Sequence, residues 1–143
     1  MKTLQQILDY KKHREVISIA PNRPVFDALV VLAEYKIGAL VVLEGEKLVG
    51  IFSERDYARE VILKGKSSKS TQIQEVMTAK VLSAKPTDSV EQAMTVMSEK
   101  RIRHLPVVDD DKVIGMLSIG DLVKETIAYQ KDLIKQLESY IHS

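Results

Sequence analysis

Two short motifs contain the residues whose types and spacing could bind a polar small molecule. Gly50-Ile51-Phe52-Ser53-Glu54-Arg55-Asp56 and Gly115-Met116-Leu117-Ser118-Ile119-Gly120-Asp121 share the pattern Gly-x-x-Ser-x-x-Asp. A serine followed three residues later by a carboxylate is typical of a helix-capping box. A helix N-terminus also attracts phosphate, and a carboxylate one turn into the helix can accept hydrogen bonds from a ribose diol. Capping and ligand binding are compatible, so both interpretations stay open.

The two motifs belong to an internal repeat. Shifting the chain by 65 residues aligns Val16–Ile62 with Val81–Ile127 without a gap, and 16 of the 47 aligned positions are identical. A weaker match at an offset of 69 pairs Leu4, Ile7 and Leu8 with Ile73, Val76 and Met77. The extra residues lie in Tyr10–Glu15, which we expect to be a polar, exposed connection. The chain therefore contains one structural unit twice.

Each copy is expected to contain, in order, a helix, a short strand, a helix, two strands and a helix. Val25, Ala28, Leu29 and Leu32 have the spacing of one helix face, and the second copy repeats that spacing from Val90. Asn22 with Pro24, and Asp88 with Glu91, are the predicted helix starts. Glu44-Gly45-Glu46 and Asp109-Asp110-Asp111 are predicted hairpin turns.

One such unit has too few elements to close its own core. The sequence therefore predicts an α+β (α/β) fold in which two β-α-β-β-α units pack with pseudo-two-fold symmetry and form equivalent clefts. Helices are added at both ends of the chain. The predicted boundaries are 1–66 for the first domain, 67–128 for the second and 129–143 for a C-terminal helix.

Composition excludes several classes of function. With 21 basic and 20 acidic side chains the net charge is +1, which provides no general field for nucleic acid or an acidic membrane. The chain has no cysteine, and His13, His104 and His142 lack metal-ligand spacing. No histidine base lies in either serine motif. The N-terminus lacks the apolar core of a signal peptide. These features predict a cytoplasmic binding module that is not an enzyme and has no catalytic cofactor.

Both motifs, the segment Ile102-Arg103-His104-Leu105-Pro106-Val107 and the ungapped repeat together resemble a tandem pair of cystathionine-β-synthase (CBS) domains, a Bateman module. The resemblance extends from Thr3 to about Ile127 and is greatest to small stand-alone bacterial members. It implies regulation through an adenosine-containing ligand: AMP, ADP, ATP, NAD or S-adenosylmethionine. Such ligands bind in the clefts between the copies, and occupancy is passed to a partner.

The resemblance also implies which residues form each cleft. In the main cleft Asp121 would hold the ribose, Ser118 would lie near phosphate, and Arg103 would clamp phosphate as a charged fork. The other residues expected there are Gly120, Ile37, Gly38, Ala39, Ala28, Ser18, Ala20 and Arg23, the last of which could instead pair with Asp27. The second cleft would contain Asp56, Ser53, Arg55 and His104, where histidine could add charge as the pH falls.

The C-terminal helix predicts an association surface. Ile127, Ile134, Leu137 and Ile141 share one face, with Leu133 and Tyr140 beside it. This stripe could pack on its own module or on another chain, and the resemblance favours a homodimer with an unidentified effector protein as a further partner. Three alternatives remain: a ligand-free dimeric scaffold, an S-adenosylmethionine sensor and a nucleotide-hydrolysing enzyme.

Overall fold

The structure, a computed structural model, describes residues 2–11 and 15–142. These residues form two compact units. The first-copy unit contains residues 15–82 and 110–114, and the second-copy unit contains residues 2–11, 83–109 and 115–142. The helix that precedes the first copy in the chain therefore belongs to the second-copy unit. The domain boundaries expected from the sequence stay a prediction.

The elements follow the order expected for an α+β fold built from a repeat. In chain order they are α1 (Leu4–Tyr10), β1 (Ser18–Ile19), α2 (Val25–Tyr35), β2 (Ala39–Glu44), β3 (Lys47–Ser53), α3 (Glu54–Asp56), which continues as a π-helix (Tyr57–Ile62), α4 (Ile73–Val76), α5 (Val90–Lys100), β4 (His104–Asp109), β5 (Lys112–Ser118) and α6 (Ile119–His142). No helix within the described residues is both long enough and apolar enough to cross a membrane.

The first-copy unit is built on a three-stranded sheet in the order β1-β2-β3. Strand β1 pairs with β2 in parallel, and β2 pairs with β3 in antiparallel register, with Leu40 opposite Phe52. Residues 39–42 of β2 are all buried, as is Phe52. Helix α2 packs Val25, Ala28 and Leu32 into the same core, which confirms the predicted apolar face. Burial of these side chains is the main driving force for this unit.

The second copy of the repeat forms a smaller sheet. Strands β4 and β5 form a two-stranded hairpin. The expected short strand is reduced to a single parallel bridge between Ala84 and Val107. Helix α5 buries Val90, Ala93 and Met97, so that Met97 fills part of the core. Leu122 is the one buried residue of the long helix α6.

Two predicted helix starts are wrong in detail. Helix α2 begins after Pro24, which has no side-chain cap, so Asn22 does not cap it. Helix α5 begins after Ser89, whose hydroxyl accepts from the Gln92 amide at 3.1 Å. The Asp88 carboxylate instead accepts from the Lys85 amide at 2.9 Å. Adjacent capping residues compete, and the local turn decides which one is used.

Both predicted hairpin turns are present, and each uses residues that tolerate a positive φ. Gly45 has a φ of 64° between β2 and β3. Between β4 and β5, Asp110 and Asp111 have φ values of 51° and 63°. Aspartate adopts this left-handed region more readily than most residues because its short side chain can hydrogen-bond locally. The three aspartates of this hairpin thus serve a turn.

The motif glycines mark the places where the helices α1 and α4 pack closely against strands. A Cβ atom on Gly115 of β5 would lie 2.6 Å from a methyl carbon of Leu8, which is buried at the end of α1. A Cβ atom on Gly50 of β3 would lie 2.5 Å from the sulfur of Met77, next to α4. Leu8 and Met77 are counterparts in the weak match at offset 69. The structure gives that match a physical meaning, because each residue covers a glycine within its own unit.

Replacement of Gly115 by alanine should therefore destabilise the fold by about 1–3 kcal/mol, because the buried Leu8 side chain has little room to move. Gly120→Ala is the matched control, since its Cβ would lie 3.6 Å from the Ser118 hydroxyl, an ordinary contact. That control should be neutral or stabilising because alanine favours a helix. Urea unfolding measures both. Equal free energies of unfolding for Gly115→Ala and the wild type would contradict the packing constraint.

Candidate ligand site

Each strand-to-helix junction forms the capping box that the motif predicts. At the start of α6, Asp121 Oδ2 accepts from the Ser118 amide at 2.8 Å, and the Ser118 hydroxyl accepts from the Asp121 amide at 3.2 Å. At the start of α3, Asp56 Oδ2 accepts from the Ser53 amide at 2.9 Å and from the Ser53 hydroxyl at 3.0 Å. The reciprocal bonds fix each carboxylate at a helix N-terminus, partly buried.

The segment before each hairpin is tied to the same junction. The Arg103 carbonyl accepts from the Ile119 amide at 2.8 Å, and the Gly38 carbonyl accepts from the Glu54 amide at 3.0 Å. These bonds are counterparts in the repeat, since the donor and the acceptor of one bond each lie 65 residues after those of the other. In the second-copy unit, the backbone of Arg103 therefore lies beside the capping box of Asp121. The Arg103 side chain is exposed.

The residues predicted for the main cleft are divided between the two units. Arg103, Ser118, Gly120 and Asp121 lie in the second-copy unit, and Gly120 is the second residue of α6. The first-copy unit contains Ser18, Ala20, Arg23, Ala28, Ile37, Gly38 and Ala39. That these two groups line one cleft stays a prediction.

Within the first-copy unit, the predicted residues differ in exposure. Ser18 and Ala20 are exposed around β1, and Ile37 and Gly38 are partly buried before β2. Ala28 and Ala39 are buried in the core. Arg23 pairs with Asp27, at 2.6 Å between guanidinium nitrogen and carboxylate oxygen, and its side chain is 60% exposed. Of the two roles weighed for Arg23, the structure contains the ion pair.

The residues predicted for the second cleft are similarly divided. Ser53, Arg55 and Asp56 lie together at the β3–α3 junction, with Arg55 exposed. His104 is the first residue of β4 in the second-copy unit and is partly buried. No cluster of metal-ligating side chains occurs in residues 2–11 or 15–142. His13 lies outside the described residues.

Two polar partners of the carboxylates were not predicted from the sequence. The Lys11 ammonium lies 3.0 Å from Asp121 Oδ2 and donates to the Met116 carbonyl at 2.6 Å. The Thr78 hydroxyl donates to Asp56 Oδ1 at 3.2 Å. Lys11 is the residue after α1, in the segment expected to be an exposed connection, but its side chain is 30% exposed. The match of Leu8 with Met77 at offset 69 is the sequence feature from which the packing of the N-terminal segment on the second copy could have been predicted.

The environment of Asp121 favours its ionised form. Burial of the carboxyl group acts to raise its pKa, but hydrogen bonds from Ser118 and Lys11 and the positive charge of Lys11 outweigh this effect. The pKa of Asp121 therefore lies below its ordinary value. The carboxylate is available as an anionic hydrogen-bond acceptor at neutral pH.

The family comparison agrees with this duplicated geometry. The CBS domain model matches twice, over residues 8–63 and 73–128, so that each match includes one Ser-x-x-Asp motif. The chain belongs to the CBS-domain family. Tandem CBS domains are regulatory, ligand-binding modules, and the resemblance inferred from the motifs and the repeat is thereby confirmed.

Three similar proteins place the chain within this family. It is 41% identical over 122 residues to the mitochondrial CBS domain-containing protein CBSX3 of Arabidopsis thaliana, covering 82% of this chain and 59% of that protein. The solved CBS-domain structure NE2398 is 47% identical, with a TM-score of 0.84 over 88% of this chain and 98% of that one. The CBS domain pair of protein MJ0100, solved with 5′-methylthioadenosine and S-adenosyl-L-methionine, is 26% identical, with a TM-score of 0.79 over 90% and 98% of the chains.

The lowered pKa of Asp121 predicts an acid-sensitive contribution to stability. Its folded-state pKa lies below that of the unfolded chain, about 3.9 for aspartate. The stabilisation is therefore complete above that value and is lost as the pH falls through the folded-state pKa. Asp121→Asn, which keeps the shape but removes the charge, should cost roughly 1 kcal/mol at pH 7 and much less near pH 2. Urea unfolding at both pH values measures this, and a cost that does not change with pH would contradict it.

Proposed function

We propose that this protein is a regulatory module that binds an adenosine-containing ligand, with Asp121 as the ribose-binding carboxylate. The observation that supports the proposal most directly is the capping box at α6. Asp121 Oδ2 is held by Ser118 and Lys11, whereas Oδ1 accepts no hydrogen bond from any described residue. A free carboxylate oxygen at a fixed position suits a ribose hydroxyl, which donates to it.

The chemical class of the ligand is supported by the family relationship. The MJ0100 domain pair was solved with two adenosine-containing molecules, 5′-methylthioadenosine and S-adenosyl-L-methionine. Both contain a ribose diol. In this chain, the N-terminal end of α6 and the exposed guanidinium of Arg103 are the proposed sources of positive electrostatic potential for a phosphate. We therefore propose AMP, ADP, ATP or NAD as the ligand, with S-adenosylmethionine as the alternative.

Asp121 is a better candidate than Asp56 because the Oδ1 atom of Asp56 already accepts a hydrogen bond, whereas that of Asp121 accepts none from the described residues. Asp56 Oδ2 is occupied by Ser53, and Oδ1 accepts from Thr78. A ribose at Asp56 would have to share Oδ1 with the threonine hydroxyl or displace it. Displacement gains little free energy because one hydrogen bond replaces another, and a shared Oδ1 has one acceptor lone pair fewer for the ribose than the Oδ1 of Asp121. The Asp56 site is thus proposed as the weaker of the two.

Occupancy is proposed to act on a partner rather than on a reaction. Neither serine motif contains a histidine that could act as a general base. Incubation with ATP or NAD should leave the nucleotide intact, and its hydrolysis would instead favour the enzyme alternative. The effector partner and the cytoplasmic location stay predictions.

The ligand proposal predicts a thermal shift that depends on Asp121. AMP at about 100 times its Kd should stabilise the wild type by about 2.7 kcal/mol, which corresponds to a Tm increase of roughly 5–10 °C. Asp121→Ala should weaken binding at least tenfold, whereas Asp56→Ala should have a smaller effect. Each variant is compared with its own ligand-free melting temperature, so that loss of the cap is not counted as loss of binding.

The same series tests the alternatives. No shift with AMP, ADP, ATP, NAD or S-adenosylmethionine at millimolar concentration would contradict the proposed function and favour the ligand-free scaffold. A shift with S-adenosylmethionine alone would favour that sensor. A full response of Asp121→Ala to AMP would contradict the site assignment.

We further propose that α6 mediates homodimer formation. Every described residue of α6 from Ile127 onward is exposed, including Leu133, Ile134, Leu137 and Ile141. Along α6 a series of positions alternates between spacings of four and three residues, as in the seam of a coiled coil. This seam consists of Val123, Ile127, Gln130, Ile134, Leu137 and Ile141, of which all but Gln130 are apolar. A solvated helical segment of this length is marginal alone, so a second helix on the seam would stabilise it.

The charges beside the seam favour an antiparallel pair of α6 helices. Lys131 and Glu138 lie on the same flank, one residue after Gln130 and Leu137. In an antiparallel pair the same flanks meet, so Lys131 would lie opposite Glu138 of the partner subunit. In a parallel pair this flank would meet the opposite flank, which carries Thr126, Leu133 and Tyr140 and has no charge. A second copy of this chain is thus the occupant that fits.

Ile134→Asp should convert the proposed dimer to a monomer, because it places an unpaired charge in the centre of the seam. Ser139→Asp is the matched control, since it adds the same charge on the opposite face of α6. Sedimentation equilibrium should show a dissociation constant at least about 100-fold higher for Ile134→Asp and an unchanged one for Ser139→Asp. A wild-type monomer at 0.1 mM protein would contradict the proposal, as would an equal effect of both variants.

A further inference from the structure

Within the repeat, the two motif carboxylates have different partners. Asp121 has a cationic neighbour, the Lys11 ammonium at 3.0 Å, and the two side chains are 25% and 30% exposed. Asp56 has a neutral neighbour, the Thr78 hydroxyl at 3.2 Å, and forms no ion pair with any described residue. The repeat thus contains two similar carboxylate sites with different net charge.

The position of Lys11 is fixed by two contacts. Its ammonium donates to the Met116 carbonyl of β5 at 2.6 Å and contacts Asp121 Oδ2. An ammonium group has three N–H donors, so one remains for a ligand oxygen. The backbone of Lys11 is anchored as well, because its amide donates to the Leu8 carbonyl at the end of α1. Lys11 is therefore held beside the free Oδ1 of Asp121 and has a donor to spare.

The charge of Lys11 changes which ligand the site can accept. A phosphate monoester carries a charge of about −1.5 to −2 at neutral pH. A carboxylate without a cationic partner repels such a group, and the repulsion between charges several ångströms apart in a partly buried site corresponds to roughly tenfold in affinity. The Lys11–Asp121 pair is electrically neutral and removes that repulsion. Uncharged ligands experience neither effect.

We propose that Lys11 is a specificity residue of the Asp121 site, where its ammonium group favours adenosine ligands that carry a phosphate over uncharged ones. The proposal rests on the function proposed above and adds to it a residue outside both motifs. The N-terminal segment thereby contributes directly to the recognition of the ligand. At Asp56, where the neighbour is a hydroxyl group, the same selection is absent.

The experiment compares two ligands that share adenosine and differ in charge. Isothermal titration measures the affinities of AMP and of 5′-methylthioadenosine for the wild type, Lys11→Met, Lys11→Arg and Lys80→Met. Lys80 is the counterpart of Lys11 at offset 69, is exposed and forms no ion pair among the described residues. It therefore controls for the loss of one surface lysine.

Lys11→Met should weaken AMP binding about tenfold and change 5′-methylthioadenosine binding by less than about twofold. Lys11→Arg should retain the wild-type preference because it keeps the charge. Lys80→Met should leave both affinities unchanged. The ratio of the two affinities is the decisive readout, since a general loss of structure would weaken both ligands equally.

Equal weakening of both ligands by Lys11→Met, or no weakening of AMP, would overturn the role of Lys11 and leave the proposed function intact. A wild type that binds 5′-methylthioadenosine but not AMP would do the same. A wild type that binds neither these ligands nor any other adenosine compound would overturn the proposed function, and the specificity proposal with it.

Discussion

The close approach of Leu8 to Gly115 is the constraint on which the candidate site depends. No Cβ atom fits between them, so α1 can lie directly against β5. Lys11 follows Leu8 by three residues, and this packing brings its ammonium to Met116 and Asp121. Core packing therefore determines the electrostatics of a partly buried carboxylate. In a densely packed core each side chain has few alternative conformations, so the position of Leu8 also fixes the position of the residues that follow it.

The second glycine contact shows that the two copies share an apolar packing contact but differ in the polar partner of the motif carboxylate. Met77 covers Gly50 as Leu8 covers Gly115, and the residue after Met77 is Thr78, whose hydroxyl donates to Asp56. The counterpart of Thr78 at offset 69 is Asp9, which accepts from Gln5 instead. The ionised Asp9 carboxylate cannot donate a hydrogen bond to Asp121. Lys11, two residues after Asp9, supplies the donor instead. The apolar contact is the same in both copies, whereas the polar contact differs.

Much of the fold could be predicted because it depends on short-range patterns. The faces of α2 and α5, the two hairpins and both capping boxes follow from spacing within one copy. The predicted caps at Asn22 and Asp88 were wrong because capping propensity does not separate neighbouring polar residues; α2 begins after Pro24 without a side-chain cap, and α5 begins after Ser89. Ser89 caps while Asp88 turns back to Lys85, and only the backbone path decides between them.

The candidate site could be predicted only in part, for a related reason. Ser118 and Asp121 lie three residues apart, so their geometry is local. Lys11 is 110 residues before Asp121 in the chain, in a segment where the repeat carries four extra residues. No periodicity extends across that interval. Only the packing of α1 in the second-copy unit brings the lysine to the carboxylate.

One helix carries both the candidate site and the exposed apolar seam. Asp121 lies in the first turn of α6, and the seam runs along the same helix to Ile141. A ligand at the first turn can change an association along the rest of the helix only if it binds the two states of that association with different affinity. The Lys11–Asp121 contact offers a place for such a difference, because it joins the end of α1 to the beginning of α6. A shift of α6 against α1 would alter the site, and by linkage a ligand that prefers one arrangement would favour it.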